Sequence, residues 1–239
     1  MTPRALHIVN ESTDPAALFV PALQERGFAV ETVEATRAEL PESLGGYDAV
    51  VAAGGTANTH ETDIHPWISH EIDLMREALE TGVPVMGLCL GAQLLTRAAG
   101  GEVRRSEPDE VGWVEVWASP AAAHDPVLGA LPASFQAMEW HHYACELAPG
   151  MTEMARNPTC IQAFRAGEAA WGTQFHIEVD RGILVSWQAW APDELAAAGY
   201  PRERFMRSLD EHLPRHEAIG RDIAGRFADL ALARVRNAA

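Results

Sequence analysis

The sequence predicts an α/β protein with a central, mostly parallel sheet flanked by helices, a smaller β-rich portion and a helical C-terminal extension. Three observations predict it. Over the first hundred residues, strand-like apolar runs alternate with helical segments. Between about residues 101 and 175, short β-rich pieces are separated by turns containing proline and glycine. From Val179 onward the chain turns helical, and Arg202–Arg236 is rich in Ala, Leu, Arg and Glu.

Each element follows from local pattern. Ala5–Asn10 is an apolar strand, and Pro15–Arg26 carries helical periodicity until Gly27 stops it. Phe28–Glu34 resumes a β-branched alternation, and Asp48–Ala53 is a short buried strand running into Gly54-Gly55. Pro66 suits the first turn of a helix over Pro66–Thr81, with Ile68, Ile72, Met75 and Leu79 recurring on one face and Gly82 ending it. Val83–Leu88 is the next strand. The β-rich portion is expected to contain Gly112–Trp117, Phe135–Tyr143, Ile161–Phe164 and Ala170–Phe175.

Bulk properties exclude several classes of function. The 239 residues suffice to bury a full core, and 47% are hydrophobic. No run approaches the roughly 20 apolar residues of a membrane span, and the apolar stretch after Met1-Thr2-Pro3-Arg4 is too short for a signal peptide. Eighteen basic against 34 acidic side chains leave a net charge of −16, which repels phosphate backbones and argues against nucleic acid as a partner. Cys89, Cys145 and Cys160 are odd in number and irregularly spaced, so they suit a reduced cytoplasm better than a disulfide framework.

The most informative segment is Val83-Pro84-Val85-Met86-Gly87-Leu88-Cys89-Leu90-Gly91-Ala92-Gln93. A buried strand enters a Gly-x-Cys-x-Gly turn and leaves as a helix, the cysteine counterpart of the Gly-x-Ser-x-Gly nucleophile elbow. Cys89 is then at a helix N-terminus, where dipole and free N–H groups favour thiolate, and the Leu90 N–H can hold an oxyanion. Taken alone, the same turn also suits a structural core cysteine. Downstream, Trp171-Gly172-Thr173-Gln174-Phe175-His176-Ile177-Glu178-Val179 places a carboxylate two residues from an imidazole. In extended backbone these two share a face, so Glu178 can fix the tautomer of His176 and steady its imidazolium. Base preceding acid by two residues disfavours an α/β-hydrolase, whose acid precedes a distant base. Gly54-Gly55, at the carboxyl edge of a strand, offers the Gly55 N–H as a second oxyanion donor, or is simply a strand-to-loop turn.

In this order, Gly54-Gly55, Gly87 to Gln93 and Trp171 to Val179 resemble the class I (triad-type) glutamine amidotransferases, most closely stand-alone proteins related to the glutaminase domain of GMP synthase. Weaker echoes are Val111-Gly112-Trp113 and Glu139-Trp140-His141-His142. The resemblance spans roughly Ala5 to Val185. It implies a flavodoxin-like class I glutamine amidotransferase domain over residues 1–190, with 191–239 a helical extension. It implies Cys89 as nucleophile, His176 as base, Glu178 as orienter, Gly55 and Leu90 as oxyanion donors and Gln93 as a contact to the glutamyl group. A loop at His141-His142 would hold the α-amino and α-carboxylate end. Three positions depart from the family: Ile177 replaces its usual proline, Thr56 replaces the proline of its Gly-Gly-Pro loop, and His142 replaces a small residue.

Two functional readings follow. One is a free-standing cysteine-dependent hydrolase of γ-glutamyl amines, γ-glutamyl peptides or glutamine, acting through a γ-glutamyl thioester. The other is a glutaminase subunit delivering ammonia to a separate synthase. The first is preferred, because nothing after Val179 resembles an ATP-dependent synthase. Trp113, Trp140, Tyr143 and Trp171 are candidates for a leaving-group pocket, or are plain core. A non-catalytic binding protein of the same fold is the third reading. No cofactor is expected. No metal is expected either, since His60, His65, His70, His141 and His142 match no His-Glu-x-x-His pattern. The expected partners are a small γ-glutamyl substrate and either a synthase or a second copy of the chain.

Overall fold

The structure, a computed structural model, describes residues 2–238. In chain order its elements are β1 (Arg4–Val9), α1 (Phe19–Glu25), β2 (Ala29–Glu34), β3 (Ala49–Ala52), α2 (Pro66–Thr81), β4 (Val85–Leu88), α3 (Leu90–Ala98), β5 (Glu102–Ala118), β6 (Ser134–Glu146), β7 (Met151–Arg156), β8 (Ile161–Ala166), β9 (Ala170–Thr173), α4 (Arg181–Trp190), α5 (Pro192–Ala197) and α6 (Arg202–Ala238). The strands form one sheet in the order β2-β1-β3-β4-β9-β8-β6-β5-β7.

The α/β architecture is as expected, but the sheet is mixed rather than mostly parallel. β2, β1, β3, β4 and β9 run parallel. From β9 onward every pairing is antiparallel. Because β7 pairs with both β5 and β8, the antiparallel half closes on itself as a small barrel. The parallel expectation rested on strands joined by helices, and that pattern ends at α3. Beyond it, short turns join β6 to β7, β7 to β8 and β8 to β9, the last two pairs as antiparallel neighbours. The longer β5–β6 connection carries two short 3-10 turns but no crossover helix.

Alternation along the parallel strands divides the core. Ala49 and Val51 face α1 and α6, meeting Phe19, Leu23, Ile223 and Phe227. Val50 and Ala52 face the other way, onto Ile68, Ile72 and Met75 of α2 and Leu94 and Leu95 of α3. This two-residue period is why the short strands read as continuous apolar runs. A third cluster gathers Trp113 and Met138 of the barrel with Leu184 and Trp187 of α4, Leu195 of α5 and Phe205 and Leu209 of α6. The 37 residues of α6, about 55 Å at 1.5 Å per residue, therefore contact both the parallel sheet and the barrel. No helix among the described residues is long and apolar enough to cross a membrane.

Several boundaries differ from expectation for local reasons. The first helix begins at Phe19 rather than Pro15, because Ala16 has φ +47° and interrupts helical backbone. β5 and β6 form a hairpin much longer than the expected pieces, with a register shift between Arg105 and Glu110 where Pro108 has no N–H to donate. β7 has few β-formers in Met-Thr-Glu-Met-Ala-Arg and was not expected. β9 ends at Thr173, so His176 to Glu178 occupy a turn, not extended backbone.

The elbow between β4 and α3 depends on close backbone approach. A Cβ on Gly91 would collide with the Ala52 carbonyl of β3, and one on Gly87 would lie 2.6 Å from the Gly91 carbonyl oxygen. We therefore expect Gly91→Ala to cost about 1–3 kcal/mol, the usual range for overpacking, read as a lowered urea midpoint. An unchanged midpoint would contradict the close approach.

Candidate active site

The carboxyl ends of four parallel strands converge on one place, as open α/β sheets favour. β1 leads into Asn10, Glu11 and Asp14, β3 into Gly54-Gly55, β4 into Cys89, and β9 into Gln174 and His176. A cavity of about 220 Å³ opens there. Its remaining walls come from Trp140 to Tyr143 of β6, Trp187 and Trp190 of α4 and Glu194 of α5.

Cys89 has φ +48° and ψ −102°, a region a side-chain-bearing residue occupies only under constraint. Its N–H donates to the Thr173 carbonyl at 2.8 Å, tying the elbow to the end of β9. The thiol is 3.6 Å from Gln174 Nε2. Leu90 opens α3, so its N–H has no intrahelical acceptor. Gly55 lies beside it: a Cβ on Gly55 would come within 3.1 Å of Leu90 Cδ2. Gly55 and Leu90 are thus neighbours, and Gly55 lines the cavity together with Cys89.

His176 Nδ1 donates to Glu178 Oε1 at 2.7 Å, although the backbone between them turns. The turn achieves the pairing that an extended strand was expected to supply. Trp187 stands edge-on to the imidazole at 4.7 Å, and the buried His216 of α6 donates through Nε2 to the His176 carbonyl at 2.7 Å. Burial draws the His176 pKa down. Cys89 and Glu178 outweigh it, by charge and by hydrogen bonds, and hold the imidazole well above its ordinary value. Thiol, imidazole and carboxylate thus form a chain along which a proton can pass from sulfur to nitrogen.

Asp14 is a fourth member that was not legible in the sequence, where Glu11-Ser12-Thr13-Asp14-Pro15 reads as an ordinary polar turn. Its Oδ2 lies 3.7 Å from His176 Nδ1, and its side chain is buried. Gly54 makes room for it, since a Cβ there would collide with Asp14 Oδ2 and come within 3.2 Å of His176 Cε1. The loop is pinned on both sides: Trp187 Nε1 donates to the Thr13 carbonyl and the Leu18 N–H to the Glu178 carbonyl. Burial pushes the Asp14 carboxyl up to about 8, the Glu178 charge adds to it, and the His176 charge opposes it. With both carboxylates charged, the Asp14 oxygens and Glu178 Oε2 have no donor. A proton on Asp14 supplies it. The only available clue was position, just past β1 at the edge where the other site loops gather.

The remaining sequence-named residues divide. Gln93 borders the cavity, and its Nε2 donates to the Tyr143 carbonyl at 3.1 Å and to Gln174 Oε1 at 3.2 Å. His141 and His142 lie mid-strand in β6 instead of in a loop, and alternation sends their rings apart. The His142 ring stands at the cavity mouth between Asp109 at 3.1 Å and Glu194 at 3.0 Å. The His141 ring is 1% exposed and faces Glu110 and Glu139 instead. Trp140 and Tyr143 do line the cavity, whereas Trp113 bonds Ser208 and Trp171 bonds Asp125 in the interior. Trp187, Trp190 and Glu194 came without warning from helices distant in sequence.

A family model described as "Glutamine amidotransferase class-I" matches residues 16–183. A glutamine amidotransferase-like protein of Salmonella typhimurium is 25% identical over 213 residues, covering 87% of this chain and 88% of that protein. The glutamine-hydrolyzing GMP synthase of Aeropyrum pernix is 30% identical over 205 residues, covering 80% of this chain but 38% of that protein. The chain thus corresponds to well under half of that synthase. A glutamine amidotransferase structure from Thermotoga maritima superposes with a TM-score of 0.84 at 23% identity, over 95% of this chain and 99% of that one, and so shares the fold.

The Asp14 carboxyl, raised from 3.8 to about 8, holds a proton in the folded state that the unfolded chain releases. Its contribution is full below pH 4 and is lost as pH rises to 8. Relative to Asp14→Asn, whose amide still donates, the wild type should lose stability by up to about 1.4 kcal/mol per pH unit across that window. Urea unfolding of both proteins between pH 4 and 9 measures it; parallel curves would contradict the shared proton.

Proposed function

The chain belongs to the class I glutamine amidotransferase family, and on that premise we propose that it hydrolyses a γ-glutamyl amide through Cys89. The supporting observation is the strained, buried Cys89 thiol beside a His176 imidazole that Glu178 holds at 2.7 Å. His176 takes the thiol proton, and the thiolate adds to the γ-carbonyl carbon. The Gly55 and Leu90 N–H groups receive the developing oxyanion. The imidazolium then protonates the amide nitrogen, the C–N bond breaks, and the amine leaves behind a γ-glutamyl thioester. His176 next removes a proton from water, hydroxide adds to the thioester, and the C–S bond breaks. Glutamate departs and the proton returns to sulfur. Neutral Asp14, donating to Glu178, keeps that carboxylate aimed at the imidazole.

The walls suggest the kind of amine released. Trp140, Tyr143, Trp187 and Trp190 supply aromatic faces, Trp190 being 60% exposed. Glu11 and Glu194 supply negative charge, and no lysine or arginine lines the cavity among the described residues. Such a wall favours an amine with an apolar or cationic tail, a cation over an aromatic face contributing about 0.5–2 kcal/mol. It disfavours a tail ending in carboxylate. The second reading, a glutaminase subunit for a separate synthase, is favoured by the resemblance to part of GMP synthases.

A substrate panel on the purified protein alone separates the two. Turnover should be highest for γ-glutamyl diamines, lower for γ-glutamyl derivatives of amino acids and lowest for glutamine, and Cys89→Ala should reduce it by about 10³-fold or more. Silence towards every γ-glutamyl amine, with glutamine turnover appearing only on adding a synthase, would select the subunit reading. Full activity in Cys89→Ala would overturn both.

A further inference from the structure

Behind the cavity wall, the His141 side of β6 carries a cluster that the proposed reaction does not use. Glu110 of β5 is the register partner of His141, and Glu139 lies two residues before it on the same face. Cys160 joins them from the turn before β8. One ligand atom each from Glu110, His141 and Cys160 lies within 4.8 Å of the others. His141 Nε2 is 3.3 Å from Glu110 Oε2 and 3.2 Å from Glu139 Oε2, and Cys160 Sγ is 3.5 Å from Glu110 Oε2.

A proton on His141 is the simplest occupant, but it leaves Glu139 short of donors, while Glu110 already accepts from Asn157, Gln162 and the Cys160 thiol. Neither Nε2 contact closes a hydrogen bond, and Nε2 and both Glu139 oxygens are without partners although Glu139 is fully buried. One Nε2 proton serves one Glu139 oxygen and leaves the other buried without a donor. A small divalent cation, in contrast, sits among several lone pairs at once. We propose that Glu110, His141 and Cys160 bind a zinc ion, or a similar thiophilic divalent cation, with the buried Glu139 carboxylate beside the imidazole balancing its charge.

Three features support it. Zinc bonds of about 2.0–2.2 Å to N and O and about 2.3 Å to S place tetrahedral N–O and S–O edges near 3.3 and 3.5 Å, matching His141–Glu110 at 3.3 Å and Cys160–Glu110 at 3.5 Å. The outer contacts are already built. His141 Nδ1 faces the Tyr143 carbonyl at 3.0 Å, which directs the ring N–H there and leaves Nε2 as the ligand. Asn157 donates to Glu110 Oε1 while its Oδ1 accepts from the Cys160 N–H, and Gln162 Nε2 donates to both Glu110 Oε2 and Cys160 Sγ. Finally, Cys160 borders a surface cleft with Arg105, Ser106 and Thr159, which offers a route for the ion. On binding, the Cys160 thiol loses its proton to solvent and a Zn–S bond forms. The ion would fasten β5, β6 and the β7–β8 turn, and so fix the strand that presents Trp140, His142 and Tyr143 to the cavity.

The test is metal analysis of the full chain, prepared without a metal-binding tag, stripped with chelator and reconstituted with zinc. About one zinc per chain should remain after desalting, and stripping should lower the melting temperature. Cobalt in its place should give a near-ultraviolet sulfur-to-cobalt band that Cys160→Ser abolishes. Wild-type protein that stays folded yet retains no zinc, and whose melting temperature ignores chelator, would overturn the proposal and leave a protonated His141 as the occupant. The wild-type result decides even if the variant fails to fold.

Discussion

The backbone of Cys89 is the constraint on which the rest of the structure depends. At φ +48° and ψ −102° it is held away from both strand and helix, and only its surroundings keep it there. The Cys89 N–H is anchored to the Thr173 carbonyl of β9 at 2.8 Å, the Gly91 N–H to the Ala53 carbonyl at 3.2 Å, and Gly91 packs directly against β3. Three adjacent parallel strands are therefore needed to place one sulfur atom. The same three strands end in the Gly54-Gly55 loop, the elbow and the His176 turn, so the geometry that strains the cysteine also surrounds it with the residues proposed to act with it.

His176, the proposed base, depends on a different set of supports. The carbonyl of His176 is held by His216 of α6, its ring by Trp187 of α4, and its Nδ1 by Glu178. Burial keeps His216 neutral, its pKa held below the ordinary imidazole value, so it donates a hydrogen bond without adding a charge next to the imidazolium. The C-terminal helices are thus part of the site's framework. Asp14 completes it from the opposite side, its buried carboxyl, raised by burial and by the Glu178 charge, lying 3.7 Å from His176 Nδ1.

What was legible in the sequence was local. The elbow announces itself because a strand, two flanking glycines and a helix occur within about a dozen residues, and the His-x-Glu pair because its members are two apart. Their pairing was anticipated for the wrong backbone, a turn having replaced a strand. What was not legible is assembled across the fold. Asp14 meets His176 from 162 positions away in the sequence, Trp187, Trp190 and Glu194 reach the cavity from helices that carry no motif, and Glu110 and His141 are brought together only by the β5–β6 register. The antiparallel barrel was hidden for a related reason: strand direction depends on connection length and pairing partner, neither of which the polar alternation of β5 or the weak β-formers of β7 reveals.

The central claim is that Cys89 forms a covalent γ-glutamyl intermediate. It is tested most directly by acid-quenching the protein during turnover of a γ-glutamyl anilide and mapping its peptides by mass spectrometry. The account predicts one γ-glutamyl group on the peptide containing Cys89, absent from those containing Cys145 and Cys160 and lost on treatment with hydroxylamine. Continued release of anilide with an unmodified Cys89 peptide, or with the group on another residue, would contradict it.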